Sequence, residues 1–197
     1  MMHGIIEGGL AQYVCQRSRF HAFVFPLETI DDVKILRHRI AKEHGGASHF
    51  PYAYRFDDQS FQDDDGEPSG TGGAPLFNAL KSHNLNRTMI IVARYFGGKK
   101  LGVKGLRAAF AQAASIALAA SVFGSFSTQM LISLSGPLEQ MSVLHRFVLE
   151  TDARIENITY NKTISATLIF SAFEPDYLAR RLPDWNITAR SERTIVT

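Results

Sequence analysis

Two glycine-rich blocks of opposite charge hold the residue types best suited to binding or catalysis. The acidic block covers residues 63–75 and the basic block covers residues 94–107. Six carboxylates crowd into the eleven residues 57–67, and no further Asp or Glu occurs before Glu139. Glycine permits positive φ and close approach of the backbone to a partner. Two such loops of opposite charge predict a shaped polar site.

The basic block is the stronger candidate for a ligand. Seven Lys and Arg residues lie between Glu67 and Glu139, in a stretch without acids. Backbone N–H groups of a glycine-rich turn that opens a helix bind anions, and the helix dipole adds to the attraction. Because the block matches neither a Walker loop nor Gly-x-Gly-x-x-Gly, an ordinary strand-to-helix connection with solvated lysines is an equal alternative. The binding residues predicted in this block are Arg94, Gly97, Gly98, Lys99, Lys100, Gly102, Lys104 and Arg107.

The acidic block predicts a turn more readily than a metal site. Carboxylates suit hard cations, but alignment with a calcium loop places Phe61 at the first ligand position and Gly72 at the last. Asp-Gly is a strong turn signal in its own right. We therefore predict ion pairs to the basic block, and neither a metal nor a cofactor. The binding residues predicted in this block are Asp64, Asp65, Glu67 and Thr71.

Arg94 shares a predicted strand face with Val92 and Phe96. A charge on such an apolar face needs a partner, and the sequence leaves Asp65 and Glu67 as alternatives. A structural ion pair is favoured over a catalytic arginine, because ion-pair networks perturb charges without performing chemistry.

Other residue types give catalysis little support. Seven histidines are scattered without the spacing of metal ligands, and only His49 is of interest because it lies close to the acidic block. Cys15 has no activating neighbour in the sequence, and no Gly-x-Ser-x-Gly elbow occurs. Whether the protein is an enzyme stays open, with a non-catalytic role favoured.

Composition describes an ordinary globular protein in a reducing compartment. Hydrophobic residues make up 45% and charged residues 20% of the 197 residues, and the formal net charge is +2, which excludes a disordered chain. One cysteine rules out an internal disulfide. The N-terminus lacks the pattern of a signal peptide, and the apolar stretch 108–120 is too short to span a bilayer. We expect a cytoplasmic protein without a membrane partner.

Hydrophobic periodicity and turn signals predict an α+β protein of two domains, residues 1–126 and 127–197. The first domain is predicted to contain strands over 18–25, 52–56 and 88–96, and helices over 29–45, 75–81 and 105–121. A linker is predicted at 124–127. Beyond it, strands over 129–134, 155–160, 163–170 and near Ile187, with helices over 138–149 and 175–182, give the β-α-β-β-α-β order of a ferredoxin-like fold.

Taken together, the two blocks resemble the YigZ/IMPACT family, and the resemblance spans nearly the whole chain. The family's Asp-Asp-Gly-Glu-Pro-x-Gly-Thr-x-Gly-x-Pro signature is met at residues 64–75, and its Val-x-Arg-Tyr-Phe-Gly-Gly-x-x-Leu-Gly run at residues 92–102. Its Lys-Ser-Arg-Phe segment appears as Arg-Ser-Arg-Phe at residues 17–20. Its His-His-Cys-x-Ala segment keeps only His49 and Ala53, which weakens any role for a His/Cys pair.

The resemblance implies an N-terminal α/β sandwich similar to domain IV of elongation factor G and a ferredoxin-like C-terminal domain. Our leading hypothesis is a non-catalytic, translation-associated regulator that binds RNA or a ribosomal surface through the basic block. One alternative is an enzyme or small-ligand-binding protein with a site between the two blocks. The other is a regulator that acts on a protein partner, for which the eukaryotic IMPACT protein is the precedent.

Overall fold

The structure is a computed structural model that describes residues 2–170 and 180–196. It is a mixed α/β structure, and its chain divides into two units, Met1–Ser125 and Phe126–Thr197. The division lies beside the predicted domain boundary. That each part folds on its own stays a prediction.

A five-stranded sheet and the helices on its two faces make up most of the first unit. The elements in chain order are β1 (Met2–Glu7), β2 (Leu10–Cys15), β3 (Ser18–Pro26), α1 (Asp32–Glu43), β4 (Tyr52–Phe56), β5 (Gln59–Asp63), α2 (Gly73–Ser82), β6 (Thr88–Tyr95) and α3 (Gly102–Ala119). The sheet has the strand order β2-β3-β6-β4-β5, and every neighbouring pair is antiparallel. β6 therefore lies at the centre of the sheet.

Both faces of β6 are covered, which confirms the prediction from its continuous apolar run. Ile90 and Val92 belong to a core that contains residues of α2 and α3. Ile91, on the opposite face, belongs to a second core that includes Val33 and Ile40 of α1. Seven of the eight residues of β6 are buried, because helices exclude water from both sides of the strand.

Small side chains let α3 lie close to the sheet. Ala109, Ala113 and Ala117 are at most 1% exposed, so much of the buried side of the helix consists of methyl groups. The helix begins at Gly102, three residues before the predicted start. The basic block is consequently the end of β6, a short loop and the first turn of α3.

β1, β2 and β5 were not predicted from the sequence. β5 shows why, since four of its five residues are exposed and its hydrophobic pattern is absent. It pairs with β4 through a hairpin in which Asp57 has a φ of +52°. This hairpin carries the acidic block to the N-terminus of α2.

The described part of the second unit contains four antiparallel strands and a helix that contributes to its core. Its elements are β7 (Val122–Pro137), whose first residues precede the division, α4 (Met141–Glu150), β8 (Arg154–Tyr160), β9 (Thr163–Phe170) and β10 (Asn186–Val196). The strand order is β10-β7-β9-β8. β9 thus lies antiparallel between β7 and β8, as in a split β-α-β unit.

The second unit departs from the sequence predictions at residues 124–127. The linker predicted at 124–127 is wrong, because these residues belong to β7 and two of them, Phe126 and Ser127, pair with β10. The helix predicted over 175–182 falls on residues that lie outside the described part of the chain up to 179. The ferredoxin-like assignment therefore stays a prediction. Among the helices of the described residues, none is long and apolar enough to cross a membrane.

Candidate functional site

The residues before β4 place His49 beside Arg94. The Arg94 N–H donates to the His49 carbonyl at 3.0 Å, and the Ser48 N–H donates to the Arg94 carbonyl at 2.7 Å. These bonds extend the sheet beyond β4 towards the end of β6. The acidic block and the first turn of α3 meet at the same end of the sheet.

A cleft of about 500 Å³ lies where these segments meet. Glu67 and Pro68 line it from the acidic block, and Arg94 and Phe96 line it from the end of β6. Residues 100–103 form the wall on the side of the basic block. The two blocks therefore converge, and the cleft has the size of small-molecule sites in proteins.

A buried ion pair joins the two blocks. Nη1 of Arg94 donates to both carboxylate oxygens of Glu67, at 2.5 and 2.7 Å. The side chains are 8% and 1% exposed. The structure thus decides between the two partners that the sequence left open, and Asp65 is not the partner. The pair does not have the fork geometry that arginine often forms with a carboxylate, because one nitrogen of the guanidinium serves both oxygens.

The rest of the Arg94 guanidinium has no hydrogen-bond partner among the described residues. Nε is buried and unpaired, and Nη2 makes no hydrogen bond to a described residue. The rings of Phe20 and Phe96 flank the guanidinium carbon, with centroids at 5.6 and 5.7 Å. Such cation–π contacts offset part of the loss of hydration, but they do not satisfy the N–H groups.

Asp64 closes the turn that leads into α2. Its carboxylate accepts the N–H groups of Gly70, Gly72 and Gly73 at 2.7–2.8 Å. Burial raises the pKa of Asp64, but the backbone N–H bonds of residues 70–73 outweigh burial and bring the pKa below its ordinary value. Because these bonds occupy the carboxylate, Asp64 stabilises the conformation of the acidic block.

Asp65 and Thr71 also serve the conformation of the block. Asp65 Oδ2 accepts the Phe50 N–H at 2.7 Å, and Arg37 lies 4.0 Å from the other oxygen. Thr71 is fully buried and its hydroxyl donates to the Pro68 carbonyl at 2.6 Å. Among the four acidic-block residues predicted to bind, Glu67 is the one that lines the cleft.

The hydrogen bond of His49 determines which of its ring nitrogens is available in the neutral ring. Nδ1 lies 2.7 Å from the Asp65 carbonyl oxygen. A carbonyl only accepts, so Nδ1 carries a proton and Nε2 is the free acceptor of a neutral ring. His49 lines the cleft. Its closeness in sequence to the acidic block was the signal that singled it out.

The lysines of the basic block are exposed, but not all of them line the cleft. Lys99, Lys100 and Lys104 are all exposed, and Lys100 is the one that lines the cleft. Gly98 and Gly102 have φ values of +80° and +70° with open space around them. The predicted residue Arg107 lines a different groove, between α2 and α3.

The turn between β2 and β3 contributes residues that the list of predicted binding residues omitted. Ser18 is fully buried, and its hydroxyl oxygen accepts the Gly97 N–H at 3.1 Å. A Cβ on Gly97 would overlap the Arg17 backbone, so only glycine fits at this crossing. Phe20 lies against Arg94. The Arg-Ser-Arg-Phe segment at 17–20 was the sequence signal for these contacts.

No group of three or more His, Cys, Asp or Glu side chains within the described part of the chain is arranged to hold a metal ion.

Comparisons with known proteins identify the family. The Impact N-terminal domain family matches residues 16–118. The IMPACT family member YvyE of Bacillus subtilis (strain 168) is 36% identical over 121 residues, which cover 58% of this chain and 56% of that protein. The match thus spans little more than half of that relative's length.

Two further similarities extend over nearly the whole chain. The IMPACT family member YigZ of Escherichia coli (strain K12) is 24% identical over 176 residues, 87% of this chain and 86% of that protein. A solved structure of a hypothetical protein superimposes with a TM-score of 0.68 at 21% identity, over 96% of this chain and 97% of the other. This structural likeness shows a shared fold, and with the family match it leads to one conclusion: the chain belongs to the IMPACT family.

Proposed function

We propose that this protein is a non-catalytic, translation-associated regulator in the cytoplasm that binds RNA or a ribosomal surface. The contact surface is the basic block together with the cleft beside it. The observation that carries the proposal is the exposure of Lys99, Lys100 and Lys104 around the N-terminus of α3. The similarity to domain IV of elongation factor G and the ferredoxin-like second domain remain part of the proposal.

The charges around α3 favour a phosphate backbone. The first turn of α3 has no acidic residue, and no side chain caps its N-terminus. The positive end of the helix dipole therefore adds to the field of the three lysines. Phosphate contacts of this kind supply most of the non-specific affinity for nucleic acids.

The apolar surface next to the lysines favours single-stranded RNA over a duplex. Phe96 and Val103 are 50% and 54% exposed and lie on the cleft. A base stacked on an aromatic ring contributes about 1–3 kcal/mol. Unpaired bases can reach such a ring, whereas bases in an A-form helix cannot.

Salt-dependent binding of single-stranded RNA tests the proposal. A triple variant, Lys99→Ala, Lys100→Ala and Lys104→Ala, should bind more weakly and lower the slope of log K against log salt by roughly 0.7 per lost contact. The matched control removes three exposed lysines elsewhere, Lys34, Lys42 and Lys162. The proposal fails if the triple variant keeps the affinity and slope of the parent.

A second candidate function is a small-ligand-binding protein or an enzyme. The observation that favours it is the cleft, in which Arg94, Glu67 and the free Nε2 of His49 lie together. Mass spectrometry of small molecules released from the purified protein tests it. A compound that co-purifies with the parent and not with Leu101→Trp, which fills the cleft, supports this function. Equal amounts from both proteins count against it.

A further inference from the structure

One edge of the Arg94 guanidinium has no partner in an otherwise satisfied site. Nη1 is used by Glu67, while Nε and Nη2 donate to no protein group in the described residues. These two nitrogens form the side of the guanidinium whose N–H groups point in parallel, the geometry that holds two oxygens of one anion. A buried N–H without a partner in a native structure calls for an explanation such as an absent ligand.

Another arginine in the same unit shows what occupies this edge. Arg87 donates from Nε and Nη2 to the two carboxylate oxygens of Asp57, at 2.8 and 2.9 Å. Arg94 leaves the same pair of donors without a protein partner, beside a cleft that the residue lines. We propose that the cleft binds a phosphate monoester of a nucleotide, with two phosphate oxygens on Nε and Nη2 of Arg94.

The charges of the site favour a phosphate over a carboxylate. Glu67 and Arg94 neutralise each other, so the pair adds little net charge to the cleft. Lys100 lines the cleft, Lys99 precedes it, and residues 102 and 103 bring the N-terminus of α3 to the wall. Two cations and a helix dipole suit a group with a charge of about −1.5 to −2 at pH 7.

The apolar part of the cleft favours a ligand that carries a flat group beside its phosphate. Leu101, Val103 and Pro68 line the cleft together with the half-exposed Phe96. A nucleobase offers a flat apolar face of the kind that stacks on such a ring. A cavity of about 500 Å³ accommodates a nucleotide-sized molecule.

Nε is buried, so a ligand reaches it only if a neighbouring side chain moves, and the rings of Phe20 and Phe96 are its neighbours. Phe20 is fully buried in the core, whereas Phe96 is 50% exposed. Phe96 is therefore the ring that turns aside to uncover Nε, and it can then pack on the base of the ligand.

This inference rests on the proposed function only if the phosphate is the end of an RNA chain, since a free nucleotide presents the same group. The test is a titration of the full chain followed through the ¹H–¹⁵N signals of arginine Nε–H groups. The probes are the four nucleoside 5′-monophosphates, the matching nucleosides, benzoate, and an RNA tetranucleotide with a 5′-phosphate or a 5′-hydroxyl. The Nε–H signal of Arg94, assigned from its loss in Arg94→Lys, should shift with phosphate-bearing probes, while that of Arg87 stays in place.

Variants add an affinity measurement. Arg94→Lys keeps a cation for Glu67 but has no paired donors, so the affinity for the monophosphates should fall at least tenfold. Val103→Glu places an anion on an exposed helix position of the cleft, and Val14→Glu is the control at a similarly exposed position on β2, with 54% and 57% exposure respectively. Val103→Glu should abolish binding of the monophosphates, and Val14→Glu should leave it unchanged. This pair of variants tests the inference even if Arg94→Lys does not fold.

The outcomes separate this inference from the RNA hypothesis. A shift with the phosphorylated tetranucleotide alone supports a phosphate site for an RNA end, and a shift with monophosphates alone supports a free nucleotide. If nucleosides or benzoate shift the Arg94 signal equally, or no probe shifts it, the inference is overturned. RNA that binds through the lysines without moving the Arg94 signal overturns the inference and leaves the proposed function standing.

Discussion

Removal of Glu67 tests whether the Arg94–Glu67 pair is buried and structural. The side chains are 8% and 1% exposed, so Glu67→Ala leaves a guanidinium beside Phe20 without its anion. Loss of one member of a buried pair typically costs about 3–5 kcal/mol, because the other charge stays buried and unpaired. We expect Glu67→Ala and Arg94→Ala each to lower the free energy of unfolding by an amount in this range.

The double variant separates the pair from its surroundings. Glu67→Ala with Arg94→Ala leaves no unpaired charge, so its loss should be smaller than the sum of the single losses by about 1–3 kcal/mol. Asp65 provides the matched control within the acidic block. Its carboxylate binds the Phe50 N–H rather than Arg94, so Asp65→Ala and Arg94→Ala should be additive within about 0.5 kcal/mol.

Urea unfolding of the full chain, followed by circular dichroism, measures these losses. Trp185 is the single tryptophan and lies in the core of the second unit, so its fluorescence shows whether a variant has damaged that unit instead. Arg39–Glu43 serves as an exposed reference pair, at 50% and 55% exposure, and its removal should cost about 0.3–0.5 kcal/mol. Losses below about 1 kcal/mol at Glu67 and Arg94 that simply add would refute the buried-pair reasoning.

Three further predictions concern single positions. Backbone N–H bonds lower the pKa of Asp64 from 3.8, so the stability that its carboxylate contributes is complete above pH 3.8 and is lost as the pH falls through the folded pKa. Asp64→Asn should therefore be less stable than the parent by about 1–3 kcal/mol at pH 7. A series of urea midpoints in which parent and variant differ as much at pH 3 as at pH 7 would contradict this. Burial first, and then the charge of His44, lowers the pKa of His21 from 6.5, so below that pH the unfolded chain binds more protons than the folded chain. His21→Gln should therefore lose less stability than the parent as the pH falls from 7 to 5, and parallel plots of stability against pH for the two proteins would contradict this. A Cβ on Gly97 overlaps the backbone of the β2–β3 turn, whereas a Cβ on Gly45 meets no atom closer than 3.8 Å. Gly97→Ala should therefore lower the free energy of unfolding by about 1–3 kcal/mol more than Gly45→Ala, measured by thermal unfolding. Equal melting temperatures of the two variants would show that the turn moves aside without a loss of stability.

The central strand and the long helix of the first unit could be predicted because local sequence and burial agree there. β6 is apolar at nearly every position, and its burial on both faces follows from that run. α3 was predicted from its alanines, with a start three residues late, since no capping side chain marks Gly102. β5 could not be predicted because its residues are mostly exposed. Backbone pairing with β4 holds this strand in place, and such pairing leaves no hydrophobic pattern in the sequence.

The location of the candidate site, but not its internal contacts, could be predicted from the sequence. Glycine, acidic and basic residues gathered in two blocks indicated a polar site, and the family resemblance strengthened this. Sequence could not choose between Asp65 and Glu67, which lie two residues apart. The choice follows from positive φ at Asp65 and Gly66, +46° and +84°, which turns the chain so that Asp65 binds the Phe50 N–H and Glu67 meets Arg94.

The second unit shows how pairing overrides composition. Gly and Ser at 124–127 predicted a linker, yet the strand β7 passes through them because β10 pairs with part of this segment. The order of strands and of α4 was accessible from periodicity, since it reflects which side chains face the core. Strand bounds, ion-pair partners and the cleft depend on contacts between residues distant in sequence, and those contacts form only when the chain folds.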